Sequence, residues 1–84
     1  MTLRFGADVS TAQTEYGTVL LDQRSGDYWE LNPTGALVVR TLMEGGDRAA
    51  AVAALVARFD IDTDRAARDV DALVRDLREA GLVS

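Results

Sequence analysis

Residues 27–36, "DYWELNPTGA", contain the point at which the chain is predicted to change from strand to helix. Tyr28 and Trp29 are large aromatic residues of the kind enriched in strands. Asn32 is a preferred cap for a helix N-terminus, and Pro33 suits the first helical position, where its missing N–H is not needed. This stretch therefore predicts a sheet before it and helices after it. It also raises the question of what two adjacent aromatic residues contact.

Two further strands are predicted upstream of this stretch. Residues 7–14, "ADVSTAQT", tolerate strand structure, and residues 16–23, "YGTVLLDQ", contain a short apolar run. A two-residue turn at Ser25 and Gly26 would join the last two strands as a hairpin. In that register the opposed pairs are Arg24 with Asp27, Leu20 with Leu31, and Asp22 with Trp29.

The predicted hairpin has apolar residues on both faces, because side chains alternate along a strand. One face carries Leu20, Trp29 and Leu31. The other face carries Val19, Leu21, Tyr28 and Glu30. A hairpin of this kind needs cover on both faces, or on one face and an edge.

Three helices are predicted downstream. The first follows Pro33 with an apolar stripe and ends at Gly45 and Gly46. The second covers "RAAAVAALVARF" after a cap at Asp47, and its three-turn length indicates a core helix. The third runs from about 64 to 80, after a cap at either Asp62 or Thr63 and before Gly81.

The third helix is strongly amphipathic. At 100° per residue its apolar side chains fall in one arc, which is typical of a core-facing stripe. That arc comprises Ala66, Ala67, Val70, Leu73, Val74, Leu77 and Ala80. Asp69 and Asp76 border it on one side, and Asp71 and Arg78 on the other.

The order of elements predicts an α+β, winged-helix-like fold in which a three-stranded antiparallel sheet is followed by three helices. Residues 1–84 are expected to form a single domain. Many winged-helix folds bind DNA. Here the net charge is −5, and the third helix mixes acids with arginines, so nucleic acid is not an expected partner.

Composition excludes several kinds of site. The chain has no cysteine and no histidine, so it has neither disulfides nor the usual zinc ligands and His-based nucleophile pairs. We therefore expect no catalytic residue, no metal and no cofactor. No apolar run is long enough for a membrane span, and the N-terminus does not resemble a signal peptide. A cytoplasmic location is expected.

The strand that holds Tyr28 and Trp29 is the last of its sheet and is predicted to be an edge. An extended peptide can add to such an edge as a further strand. The third helix would form the opposite wall, with Val70 and Leu73 as the floor. Asp69 and Asp76 would then lie at the rim, facing cationic or hydroxyl groups of the guest. Alternatively, the two aromatics are ordinary packing residues, or the edge pairs with a protein partner or a second copy.

The pattern "LLD…G-x-Y-x-x-LN-x-TG-A" resembles the PqqD family of peptide chaperones, which recognise the leaders of ribosomally made, modified peptides. The residues that carry this resemblance are Leu20, Leu21, Asp22, Gly26, Tyr28, Leu31, Asn32, Thr34, Gly35 and Ala36. The first helix is then followed by Gly45 and Gly46. The resemblance covers about residues 9 to 82. The sequence of this stretch looks most like the stand-alone leader-binding proteins of bacterial lasso peptide clusters.

The resemblance implies a non-catalytic module that is a monomer when alone. It would bind a precursor leader as an added antiparallel strand and deliver it to a separate transglutaminase-like cysteine protease. A chaperone for another modified-peptide pathway and a regulatory winged-helix protein are the alternatives. Lasso leaders typically carry a Tyr-x-x-Pro element, for which either Tyr28 or Trp29 would line the slot. The expected peptide-binding residues are Asp27, Tyr28, Trp29, Glu30, Leu31, Asp69, Val70, Leu73 and Asp76.

Overall fold

Asn32 separates the sheet from the helices, as the sequence predicts. Its backbone is extended, and its Oδ1 accepts a hydrogen bond from the Gly35 N–H at 2.7 Å. The Thr34 hydroxyl donates to the same oxygen at 2.9 Å. Pro33 then occupies the first helical position. The cap satisfies a backbone donor that the first helical turn would otherwise leave unpaired.

The computed structural model describes residues 4–15 and 17–83. Within them the chain forms three strands and then three helices, which confirms the predicted α+β, winged-helix-like fold. The strands are β1 (Val9–Thr14), β2 (Gly17–Asp22) and β3 (Tyr28–Leu31), and the helices are α1 (Pro33–Met43), α2 (Arg48–Arg58) and α3 (Thr63–Glu79). Tyr16, which we predicted to begin the second strand, lies outside the described residues, as do residues 1–3 and 84.

The sheet is antiparallel in the order β1-β2-β3. Our predicted pairing of β2 with β3 is wrong by two residues. Leu20 pairs with Trp29 rather than with Leu31, and Leu31 pairs with Thr18. Because side chains alternate with a period of two, this shift leaves each residue on the face to which it was assigned.

The register differs because the β2–β3 loop is longer than the predicted two-residue turn. The Asp22 N–H donates to the Asp27 carbonyl at 2.9 Å, so the loop spans residues 23–26. The Asp22 side chain accepts from the Arg24 N–H at 3.0 Å, a local bond that favours such turns. Gly26 closes the loop with a φ of 79°, which glycine adopts most readily.

The core has two parts. One lies among the three helices and includes Val38, Leu42, Leu55 and Val70. The other lies between the sheet and the helices and includes Leu20, Val39, Leu77, Leu82 and Val83, with Trp29 and Leu31 packed against it. The Leu20, Trp29 and Leu31 face of the sheet is therefore the inner one. Leu73 packs against both parts, at the margin between them.

α2 and α3 begin at acidic caps. Asp47 Oδ1 accepts from the Ala50 N–H, and Asp62 Oδ1 accepts from the Arg65 N–H, each at 2.8 Å. The sequence left the cap of α3 open between Asp62 and Thr63. The structure shows that it is Asp62. Arg48 at the start of α2 forms a bidentate ion pair with Asp71 of α3, with nitrogen–oxygen distances of 2.6 and 2.9 Å. This pair joins α2 to one side of α3.

Candidate peptide-binding groove

β3 is an edge strand. It pairs with β2 on one side, and within residues 4–15 and 17–83 no strand pairs with its other side. The hydrogen bond from Asp22 to Asp27 fixes which backbone groups are free, because hydrogen-bonded and non-bonded pairs alternate in an antiparallel ladder. Trp29 and Leu31 direct their backbone groups toward β2. Tyr28 and Glu30 therefore direct their N–H and C=O groups toward the open edge.

α3 lies across from this edge without closing it. Every Cα atom of β3 is more than 8 Å from every Cα atom of α3. The side chains of Leu31 and Leu73 converge over the first turn of α1: a Cβ atom placed on Gly35 would lie 3.9 Å from a methyl carbon of each. We call the space bounded by the free edge of β3, Trp29, Leu31 and Leu73 the β3–α3 groove.

Gly35 is part of this groove for a steric reason. A Cβ atom at this position would also lie only 3.0 Å from Oδ1 of Asn32, which is tighter than ordinary van der Waals contact. A larger residue would therefore disturb both the helix cap and the two leucines. The sequence identified Gly35 only as part of a family pattern. Its place beneath the groove depends on where two distant leucines meet, which no local signal reveals.

Two carboxylates lie on the groove side of α3. At 3.6 residues per turn, Asp69 and Asp76 project about 40° and about 60° from Leu73, toward the margin away from Asp71. Both are exposed. In the described part of the chain neither forms an ion pair, whereas Asp71, on the opposite margin, is paired with Arg48. The helical wall of the groove thus carries two carboxylates that have no ion-pair partner in the described residues.

The Arg48–Asp71 pair changes the pKa of the Asp71 carboxyl. The hydrogen bond from the Arg48 guanidinium lowers the pKa of the Asp71 carboxyl below its ordinary value, and the positive charges of Arg48 and Arg75 act in the same direction. Both side chains of the pair are about half exposed, so solvent and salt screen the interaction. Its role here is to hold the far margin of α3 against α2.

The predicted residues of β3 divide between two surfaces. Trp29 and Leu31 are half-buried on the inner, groove-side face. Tyr28 and Glu30 lie on the outer face, where Tyr28 is 64% exposed. Asp27 is exposed at the end of the loop, and its carbonyl is already bonded to Asp22. Of the two aromatics that the sequence left open, Trp29 is the one beside the groove.

Val70 does not form the floor that we predicted for it. Its side chain is 0% exposed and belongs to the core among the three helices. It lies at the centre of the buried arc of α3, about 60° from Leu73, so it points between the helices rather than toward β3. Leu73, at the margin of the arc, is half-buried and remains available to the groove.

Comparison with known proteins identifies the family of this chain. Residues 17–83 match the family model described as coenzyme PQQ synthesis protein D (PqqD). The chain belongs to the PqqD family. A search of curated proteins finds no match for this PqqD-family chain.

Two solved structures resemble this PqqD-family chain over nearly its whole length. One is described as lasso peptide synthetase B1 complexed with the leader peptide; it has 42% sequence identity and a TM-score of 0.90, with 100% of this chain and 99% of that chain covered. The other is TbiB1 in complex with the TbiA(beta) leader peptide, with 26% identity, a TM-score of 0.86, and coverage of 96% and 94%. In the described residues, no helix is long and apolar enough to cross a membrane.

Proposed function

We propose that this chain captures the leader of a ribosomally made precursor peptide by adding it as a strand to the free edge of β3. The observation that carries the proposal is the unpaired edge of β3, whose Cα atoms all lie more than 8 Å from those of α3, with the side chains of Leu31 and Leu73 meeting over Gly35. The similarity to two proteins solved with leader peptides supports it. We further propose that the pathway is lasso peptide maturation.

The register of β3 predicts how the leader pairs. Guest residues opposite Tyr28 and Glu30 exchange main-chain hydrogen bonds with them, because those residues have the free backbone groups. Guest residues opposite Trp29 and Leu31 direct their side chains into the groove. Non-hydrogen-bonded pairs bring side chains closest together, so these groove positions favour large apolar residues. The guest therefore alternates between groove-facing and outward side chains.

The carboxylates on α3 predict the chemistry at the groove rim. Asp69 and Asp76 are exposed acids on the groove side, so they favour cationic or hydroxyl-bearing guest residues there. Asp27, at the start of β3, is a third acid near the path of the guest. About a dozen ordered guest residues with two apolar anchors correspond to a binding free energy of about −8 to −10 kcal/mol.

The direct test is a titration of the fluorescently labelled leader peptide of the cognate precursor, followed by anisotropy. Saturable binding at micromolar protein or below is the expected result. A flat curve at tens of micromolar protein would refute leader binding. Asp69→Arg should weaken binding, because it reverses a charge on the groove wall, and circular dichroism should be unchanged. Arg68→Asp is a matched control on the opposite side of α3.

We propose that the captured leader is then delivered to a separate transglutaminase-like cysteine protease in the cytoplasm. This chain would act by positioning alone, since it lacks the cysteine and histidine that such proteolysis uses. The test is the rate of leader cleavage by that protease with and without this chain. Acceleration that is lost in a variant unable to bind leader is expected. An unchanged rate without this chain would remove the delivery step and leave leader capture standing.

The free edge also permits pairing with a second copy of the chain, which is the competing use of the same surface. A homodimer formed in this way would occupy the groove edge and compete with the leader. Light scattering over a concentration series separates the two. A mass that stays at one chain while leader binds favours capture, and a dimer that the leader does not dissociate favours the alternative.

A further inference from the structure

A wide concavity of about 960 Å³ lies where β3 leads into α1. We call it the end concavity. The end of β3 and the β1–β2 turn form one side, and α1 and the end of α2 form the other. Leu37 and Phe59 supply apolar surface, and both are half-buried against the helical core. No residue of α3 lines it, so it is separate from the β3–α3 groove.

The end concavity is nevertheless continuous with the strand that binds the guest. Tyr28, Glu30 and Leu31 of β3 line it, followed by Asn32 and Pro33. A guest that pairs antiparallel with β3 runs in the opposite direction to it. Guest residues upstream of the paired segment therefore pass Leu31 and reach this end of the molecule, whereas downstream residues pass Asp27.

The charges at this end are opposite to those of the groove wall. Arg40, near the end of α1, and Arg58, at the end of α2, both border the end concavity and are exposed. Neither forms an ion pair within residues 4–15 and 17–83. Glu30 is the one acid among the lining residues, so the local balance is positive in a chain of net charge −5. Asp69 and Asp76, by contrast, border the groove.

We propose that the end concavity is a second subsite for the same guest. Residues upstream of the paired segment bend into it and place an apolar side chain against Leu37 and Phe59. A guest carboxylate then lies beside Arg40 and Arg58. This inference rests on the proposed function, because strand addition to β3 brings the upstream segment to this position.

The arrangement gives the guest a direction. An antiparallel guest with acidic upstream residues meets Arg40 and Arg58 at one end and the carboxylates of Asp69 and Asp76 along the helix. The same peptide bound in the reverse direction would place its acids near Asp27 and away from Arg40 and Arg58. Like charges held close together disfavour that orientation, so the two charge clusters select both composition and polarity.

The test uses two labelled peptides made from the leader of the cognate precursor. One is the full leader. The other is the shortest fragment whose binding is lost in the Glu30→Pro variant, which marks the segment paired with β3. In an Arg40→Gln, Arg58→Gln double variant, we expect about fivefold weaker binding of the full leader, since exposed ion pairs contribute modestly. Binding of the short fragment should be unchanged.

An Arg68→Gln, Arg75→Gln double variant is the matched control, because it changes the net charge equally and lies about 140° to 160° around α3 from Leu73. It should leave both peptides unaffected. A second full leader, with its upstream acids changed to amides, tests the idea with the native protein and should also bind about fivefold more weakly. The inference is overturned if the full leader and the fragment bind equally well, or if the upstream segment contains no acid. If neither peptide binds the native chain, the proposed function itself fails.

Discussion

The sheet has two edges, and they differ in what lies beside them. β1 has six residues, of which the last four are exposed, and its side chains are mostly short and polar. β3 has four residues that alternate between exposed and half-buried, and the half-buried ones, Trp29 and Leu31, pack against the same core cluster as Leu73. A peptide added to β1 would gain main-chain hydrogen bonds only. At β3 it also buries apolar surface, which contributes about 25 cal/mol per Å².

A free strand edge alone is therefore insufficient for specific recognition of a peptide. Hydrogen bonds between main chains replace bonds to water, so each adds little net free energy. The proposed capture at β3 therefore depends on the second wall that α3 provides. The Arg48–Asp71 pair and the helical core hold that wall in place from its other side.

The largest difference in leader affinity between the two edges is expected when proline is placed at equivalent positions of β3 and β1. The N–H of Glu30 faces the open edge of β3, and by the same alternation the N–H of Thr11 faces the open edge of β1. Neither substitution removes a bond within the sheet. Glu30→Pro should weaken leader binding by about a hundredfold, because it removes a donor and its ring obstructs a paired strand.

Thr11→Pro is the matched control and should leave leader affinity within about twofold of the native value. Anisotropy titration measures both affinities, and thermal unfolding checks that both variants fold. Equal loss of affinity in the two variants would mean that the leader does not distinguish the edges. An unchanged affinity in Glu30→Pro would exclude strand addition to β3.

The next largest effect is expected at Leu73. Leu73→Ala removes apolar surface from the α3 wall while leaving the edge of β3 intact, and leader binding should weaken by about tenfold. Val56, an exposed apolar residue of α2, provides the control, since Val56→Ala lies away from the groove. Calorimetric titration measures both. If Leu73→Ala binds leader as well as Val56→Ala does, α3 is not the second wall.

A smaller loss of leader affinity is expected when the carboxylates at the groove rim are removed. Asp69→Asn and Asp76→Asn should each weaken leader binding by about two- to fivefold at low salt, because exposed charge interactions are modest and screened. The effect should shrink as sodium chloride is raised. Salt-independent losses of the same size would indicate a change in packing, and no loss at any salt would remove these carboxylates from the interface.

The smallest effect is expected at Asp71, on the margin of α3 opposite the groove, and it concerns the stability of the fold. The pKa of Asp71 is lowered in the folded chain, so the ionised carboxylate stabilises the fold above its ordinary pKa. That contribution is lost as the pH falls through the lowered folded-state value. Melting temperatures of the native chain and Asp71→Asn should therefore differ slightly at neutral pH and converge in acid. A constant difference at every pH would exclude the carboxylate charge as its cause.

Local chemistry accounts for the parts of the fold that the sequence predicted. Asn32, Asp47 and Asp62 cap helices through bonds to residues three positions along. Short-range pattern was sufficient to place Asn32 and Asp47, and it narrowed the cap of α3 to Asp62 or Thr63. The face of each β3 residue also followed from alternation. The register did not, because the Asp22 side chain supports a four-residue loop that competes with a two-residue turn.

The site was less predictable, because it depends on contacts between distant segments. Val70 and Leu73 belong to one apolar arc, and the sequence alone does not reveal which part of the arc is covered by α1 and α2. Val70 is fully covered and Leu73 is not. Gly35, Leu31 and Leu73 come together only in the folded chain, and the end concavity likewise combines residues of both strands and helices.

The shortness of β3 affects how quickly a bound peptide is released. A ladder that offers the backbone of only Tyr28 and Glu30 permits few main-chain contacts, so a visiting peptide dissociates rapidly unless its side chains match. Such a short edge also offers few backbone groups for the edge-to-edge pairing that makes long exposed strands prone to aggregation. The same shortness that protects the molecule from aggregation would thus suit the proposed role, in which a bound leader must be released.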